Sequence, residues 1–286
     1  MTTFHQHVAR LRLPLVAAPM TQVSTPALVT EAQRAGIVGS FPTSNAQSVA
    51  QLDEWFCEFA EAVNQSTGGI EPGPLAANLI VGKQNTRLDE DVACVVKHRP
   101  AFVITSVGSP AVVTPTLQAA GCMVLADVAS QAHAHKALAA GVDGLVLLGA
   151  GAGGHTGWAN PLAFVRAVRR FFDGPLVAAG GIADGAALWG AITSGYDLGF
   201  AGTRFIAAQE AGAQASWKDA LVRSTMDDVS RTVAPNGVTA STLPDGAGSA
   251  GHTVSAVDQI QTTAAIVDEF ETDWHQARAR TTDLLR

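Results

Sequence analysis

Cysteine is scarce: the chain has three, Cys57, Cys94 and Cys122. Odd in number, far apart and outside any Cys-x-x-Cys pair, they fit neither a disulfide framework nor a cysteine zinc site. A reducing cytoplasm is the compartment this usage implies. Charge is scarce as well. Asp, Glu, Lys and Arg make up 15% of the 286 residues, where an average soluble protein has about 25%. The 18 basic and 25 acidic residues leave a net −7, so no general attraction to nucleic acid or to an anionic membrane follows. Long apolar runs are missing, and none approaches the ~20 residues a membrane span needs. Residues Met1 to His7 lack the basic and apolar regions of a signal peptide, so none is expected.

Apolar residues and glycine are abundant, at 47% and 28 residues respectively. That excludes disorder for most of the chain, and the length allows one large α/β domain or two small ones. Short apolar runs alternate with segments of helical period. The strands expected are Leu15–Ala18, Ile37–Ser40, Leu75–Ile80, Ala101–Ser106, Cys122–Asp127, Gly144–Leu148, Pro175–Ala179 and Leu198–Gly202. The helices between them are expected at Pro26–Ala35, Ala46–Asn64, Thr86–His98, Pro110–Ala119, Ser130–Ala140, Leu162–Phe172 and Asp184–Ser194. Near-continuous apolar strands suit a parallel sheet covered on both faces. Eight such repeats in about 220 residues have the rhythm of an α/β (β/α)8 TIM barrel. A doubly wound open sheet is the main rival. From Thr225 to Gly251 the rhythm breaks, with turn signals at Pro235-Asn236-Gly237 and Pro244-Asp245-Gly246. Val257–Ala279 then reads as one closing helix. The division implied is a barrel domain over 1–224 and a loop-rich segment with a C-terminal helix over 225–286.

In a TIM barrel the active site lies where the strands end. Those ends offer Pro19-Met20, Asn78, Asp127, the run Gly149 to Gly157, Gly180-Gly181 and Gly202-Thr203-Arg204. The glycine run formally contains Gly-x-Gly-x-x-Gly. A dinucleotide fingerprint would need it to open a helix directly, yet the next helix waits until about Pro161. His155 is the only titratable group in that run. It is either a proton-exchanging histidine or a hydrogen-bonded loop residue. Gly180, Gly181, Gly202 and Thr203 occupy the loops where this fold habitually binds phosphate; the alternative is two tight turns, with Asp184 capping its helix. Asn78 is either a satisfied buried amide or a ligand contact. Lys83 is either a Schiff-base lysine or a solvated loop residue. His133 and His135 face different ways on a helix and make a poor metal pair. His5 and His7 are expected in a mobile terminus. Arg204 is expected to pair with a carboxylate, and the tryptophans to pack.

Ala18-Pro19-Met20, Asn78, Gly153-Gly154-His155-Thr156-Gly157, Ala179-Gly180-Gly181-Ile182-Ala183 and Gly202-Thr203-Arg204-Phe205 resemble the nitronate monooxygenase family, formerly called 2-nitropropane dioxygenases. The resemblance runs in order from about Leu13 to Glu210, with a fainter echo at Ser249-Ala250-Gly251-His252. It implies an FMN-binding TIM barrel. Pro19 and Met20 would lie by the flavin ring, and Asn78 would hydrogen-bond it. Gly153 and Gly154 would belong to the flavin site, and Gly180, Gly181, Gly202 and Thr203 would hold the phosphate. His155 would be the active-site base or the partner of the substrate's charged group. Asp127 stands where relatives often show a threonine or lysine contact to the flavin. An acid there would repel electron density on a reduced flavin. The chain is shorter than most relatives after the eighth helix, where much of their substrate lid is built.

The activity implied is oxidation of a small nitronate or similar anion with O2, giving a carbonyl compound and nitrite. The alternative within redox chemistry is a reductase or dehydrogenase acting on an enone, quinone or enoyl or acyl thioester, with NAD(P)H as redox partner. Further readings are a flavin-free lyase using Lys83, and a flavin-holding binding protein without turnover. The partners expected are a small-molecule substrate and a second copy of the chain, with no nucleic acid and no membrane.

Overall fold

The computed structural model describes residues 3–64, 69–233 and 239–284. Helix α1 (Thr3–Ala9) precedes strand β1 (Leu15–Ala17). There follow α2 (Pro26–Arg34), β2 (Val38–Pro42), α3 (Val49–Asn64), β3 (Leu75–Ile80), α4 (Leu88–His98), β4 (Phe102–Ser106), α5 (Thr114–Ala119), β5 (Met123–Val128), α6 (Gln131–Ala139) and β6 (Gly144–Leu148). The two-residue strand β7 (Gly154–His155) leads to α7 (Pro161–Val168), β8 (Leu176–Ala179), α8 (Gly185–Ser194), β9 (Leu198–Ala201) and the short α9 (Thr203–Ile206). The chain ends with α10 (Ala215–Arg223), β10 (Ser230–Val233), β11 (Thr239–Thr242) and α11 (Thr263–Leu284).

Strands β1 to β6, β8 and β9 close into a parallel barrel. β9 returns to β1, with Leu15 opposite Gly199 and Val16 opposite Phe200. Closure excludes the open-sheet rival. Because alternate residues of a strand point to opposite sides, each strand feeds two cores. Val16, Val38, Ala76, Ile104, Leu125, Val146, Val177 and Leu198 fill the barrel interior. Leu15, Ala77, Val103, Val124, Leu145 and Leu176 face the surrounding helices. Short polar caps set where several helices begin. Thr25, Ser130 and Asp184 each accept a backbone N–H three residues on, at Leu28, His133 and Ala187. No described helix is long and apolar enough to cross a membrane.

Three features differ from the sequence reading. Residues Thr3–Ala9, which include His5 and His7, are helical: α1 stoppers the barrel, with Phe4 buried edge-on against Phe102 at 6.0 Å between ring centroids. His7 meets the same Phe102 ring at 5.4 Å. Phe4 and Val8 make a single i, i+4 apolar pair in this helix, too short a repeat to mark a plug in the pattern. The stretch after Arg223 holds more than loops. β10 and β11 form an antiparallel hairpin, and β11 pairs with β7, Ala240 opposite His155. The turn at Pro244-Asp245-Gly246 is present, with Asp245 and Gly246 both at positive φ. Pro235-Asn236-Gly237 lies outside the described residues. The closing helix starts later than the pattern suggested, at Thr263, because after a 3-10 turn at His252–Ala256 residues 257–262 run as irregular chain in which Gln261 bridges to Ala208. It packs on α8 through Trp189 and Trp274, edge-to-face at 5.1 Å, and buries Ile266, Val267 and Phe270.

Candidate active site

The interior residues end in a layer of different chemistry. Two positions beyond Ala76, Ile104 and Leu125, on the same side of each strand, stand Asn78, Ser106 and Asp127. They line one wall of a cavity of about 390 Å3 at the C-terminal mouth of the barrel. Asn78 Nδ2 donates to Ile104 O at 3.0 Å and to Ser106 Oγ at 2.8 Å. The Ser106 hydroxyl in turn donates to Asp127 Oδ2. The chain of donors stops there. Asp127 Oδ1 is shut from solvent and has no partner. Burial pushes the Asp127 carboxyl up to about 6, with the Ser106 hydrogen bond opposing the shift.

The opposite wall is built from backbone. Gly180 and Gly181 leave β8 at φ 114° and 87°, where L side chains are strained. Among the described residues, no backbone carbonyl accepts from the N–H groups of Gly180, Gly181 or Gly202. All three residues line the cavity beside Thr203, the first residue of α9. Backbone N–H groups left without a carbonyl partner at one wall are the chemistry an anion site needs.

The third wall joins distant segments. Gly251 N–H donates to Thr203 Oγ1 at 2.9 Å, and His252 N–H to Gly151 O at 3.0 Å. A Cβ on Gly251 would lie 2.4 Å from Gly151 O, so only glycine allows this approach. Trp217 Nε1 donates to Ser249 O at 3.2 Å. Trp217, Ala240, Ser249 and Thr253 all line the cavity. The segment from β11 to the 3-10 turn therefore lies over the barrel mouth.

The residues expected to bind the flavin or act on the substrate all line this one cavity: Pro19, Met20, Asn78, Asp127, Gly153, Gly154, His155, Gly180, Gly181, Gly202 and Thr203. His155 stands exposed at the rim on β7, and the surrounding loops lower its pKa by desolvation. Among the described residues the lining has two titratable side chains, Asp127 and His155, and no lysine or arginine. Lys83 is exposed and outside the lining, so the Schiff-base reading loses its geometry. His133 and His135 are exposed on α6, where His135 stacks on Phe171. Arg204 is buried and pairs with Glu269, with Gln261 Oε1 accepting a further bond at 2.7 Å. Between α3 and α4, Asp53 Oδ1 accepts from Lys97 Nζ at 2.5 Å and meets His98 Nε2 at 2.6 Å, an ion-pair clasp beside the exposed Cys57.

Sequence reasoning missed Ser106, Trp217, Ala240 and Thr253, and named Ser249 only in a faint family echo with no role at the site. Ser106 had a readable signal, the same strand parity as Asn78 and Asp127. The others depend on how residues after 206 fold back, which no local period encodes. Val107, also in the lining, holds φ 55°, an unusual conformation for a β-branched residue and one that clusters at functional sites.

The sequence profile of the nitronate monooxygenase family matches residues 57–246. A nitronate monooxygenase of Pseudomonas aeruginosa is 28% identical, the match covering 86% of this chain and 80% of that one. Two solved structures share the fold. FabK from Thermotoga maritima superposes with a TM-score of 0.86 at 22% identity, covering 99% of both chains. A nitroalkane oxidase from Streptomyces ansochromogenes gives 0.86 at 20% identity, covering 98% of this chain and 100% of that one. A barrel with this mouth, matched by the family profile over two thirds of its length, belongs to the nitronate monooxygenase family and is an oxidoreductase.

Proposed function

We propose that the cavity binds FMN and that the protein oxidises a small nitronate with O2. The observation that carries this reading is the pairing of two unlike walls in one cavity. Bare amides at Gly180, Gly181 and Gly202 suit a phosphate. The Asn78–Ser106–Asp127 wall suits the polar edge of a flat ring system, and a volume of about 390 Å3 lies in the range of small-molecule sites. FMN carries both chemistries. When bound, it supplies two-electron oxidation of a substrate with return of the electrons to oxygen.

The chain's own residues do the rest. Gly180, Gly181, Gly202 and Thr203 would hold the phosphate through backbone N–H groups. Pro19 and Met20 would lie by the ring, Gly153 and Gly154 would let the backbone approach it, and Asn78 would hydrogen-bond it. His155 is the base at the rim: its lowered pKa keeps the imidazole neutral at pH 7, ready to accept a proton or a hydrogen bond. Trp217, Ser249 and Thr253 exclude water from the mouth. Incubation with alkyl nitronate in air tests the reading: nitrite and carbonyl product should appear with O2 consumption, and protein with bound FMN that makes neither would overturn it.

A second reading is favoured by one observation. The absence of lysine and arginine from the described lining gives an anionic substrate no cation to pair with. A neutral enone or acyl thioester, with NAD(P)H as reductant, suits such a wall. Anaerobic bleaching by NAD(P)H, with no turnover of nitronate, would select it.

A further inference from the structure

We propose that Asp127 takes up one proton when the cofactor in this cavity accepts two electrons, and releases it on reoxidation. The proposal rests on the FMN reading above and gives a proton-exchanging role to a residue that reading uses only as part of a polar wall.

The geometry singles out this carboxyl. Four buried side-chain oxygens among the described residues lack a hydrogen-bond partner, and of these only Asp127 Oδ1 belongs to a cavity-lining residue. The neighbours have no protons left to give it. Both Asn78 Nδ2 protons are committed to Ile104 O and Ser106 Oγ, and the Ser106 hydroxyl proton to Oδ2. Oδ1 is therefore the one atom of the wall whose role depends on protonation: an acceptor when the carboxyl is charged, a donor when it is neutral. No countercharge holds it in the charged form. The strand facing it on one side, β4, contributes Ser106, and β6 on the other contributes Leu148. Across the cavity the one titratable group is His155, which desolvation keeps neutral at pH 7.

Reduction of such a site has a simple balance. An oxidised flavin ring that accepts two electrons and one proton becomes a monoanion. Beside a charged Asp127 that would set a second negative charge next to the ring, in a described lining without lysine or arginine, which strongly disfavours one of the two. If the Asp127 carboxylate binds a second proton, the ring and Asp127 together carry one negative charge before and after, and the phosphate charge is unchanged. Two electrons and two protons enter, and both pairs leave on reoxidation. By reciprocity, protonation of Asp127 favours the reduced cofactor as much as reduction favours protonation. The raised pKa, about 6 before any electron arrives, already places the group near its switching range.

The test is an anaerobic redox titration of the FMN-loaded protein from pH 6.5 to 8, for wild type and Asp127→Asn. The wild-type midpoint potential should fall with pH twice as steeply as that of Asp127→Asn, reporting two protons per electron pair against one. Ser106→Ala removes the donor that favours the carboxylate, so its steep segment should move to higher pH; a merely structural role for the wall would not move it. His155→Ala should keep the steep segment. Parallel slopes in wild type and Asp127→Asn, with flavin bound to both, would overturn the proposal alone. Should Asp127→Asn not fold, an unshifted Ser106→Ala profile would overturn it equally. Failure of the wild type to bind FMN at all would overturn the underlying reading and the proposal with it.

Discussion

Replacing Asp127 by Asn should change the pH dependence of stability even without a cofactor. The folded carboxyl sits at about 6, against 3.8 when exposed. Between those values the unfolded chain has released its proton and the folded chain still holds it. The unfolded state therefore binds fewer protons, and stability falls as pH rises through that window. The separation is about two pH units, which at about 1.36 kcal/mol each costs the native state about 3 kcal/mol at pH 8. Asn is nearly isosteric, can still accept from Ser106, and does not titrate. The difference in stability, Asp127→Asn minus wild type, should thus grow by about 3 kcal/mol from below pH 3.8 to pH 8, with roughly half of that between pH 5 and 8. Urea denaturation of flavin-free protein reads it. With m near 3 kcal/mol/M for a chain of this size, the midpoints should separate by a further ~0.5 M over the upper half of the window. Any constant offset from burying an amide cancels in the comparison. Midpoint differences that stay flat from pH 5 to 8 would refute the reasoning.

Other perturbations follow from the same geometry. His155→Ala should retain FMN and lose turnover by about 10²–10⁴-fold, the range for a proton-transfer group; the acid limb of the wild-type pH–rate profile should lie below 6.5 and vanish in the variant. Normal activity per bound flavin would remove His155 from the mechanism. Gly251→Ala places a Cβ 2.4 Å from Gly151 O, so FMN affinity should fall at least about tenfold, as a kcal/mol-scale packing strain requires, while far-ultraviolet circular dichroism stays native. Unchanged affinity would show that the loops absorb the clash. Phe4→Ala should cost about 3–5 kcal/mol, as for other buried aromatics, and leave FMN uptake intact; a loss under 1 kcal/mol would mean that α1 does not plug the barrel.

The barrel was legible because each strand carries an apolar run between helix signals, a local property repeated eight times. The candidate residues were legible because glycine and titratable groups stand at strand ends, and strand ends of this fold converge on one mouth. What escaped was non-local. Ala240 pairs opposite His155 across some 85 residues of chain, Trp217 reaches Ser249, and Gly251 reaches Thr203. Those contacts depend on the path of the chain after the barrel closes, where neither helical nor strand period dominates. Asp127 shows both sides of the matter. Its place at a strand end marked it as a candidate, but its unpartnered oxygen becomes visible only once Asn78, Ser106 and Asp127 are brought together by register.

The visible absorption spectrum of the freshly purified protein tests the central claim most directly. Oxidised-flavin bands, with FMN recovered after denaturation, are the predicted result. A colourless protein that also fails to take up added FMN would contradict the account.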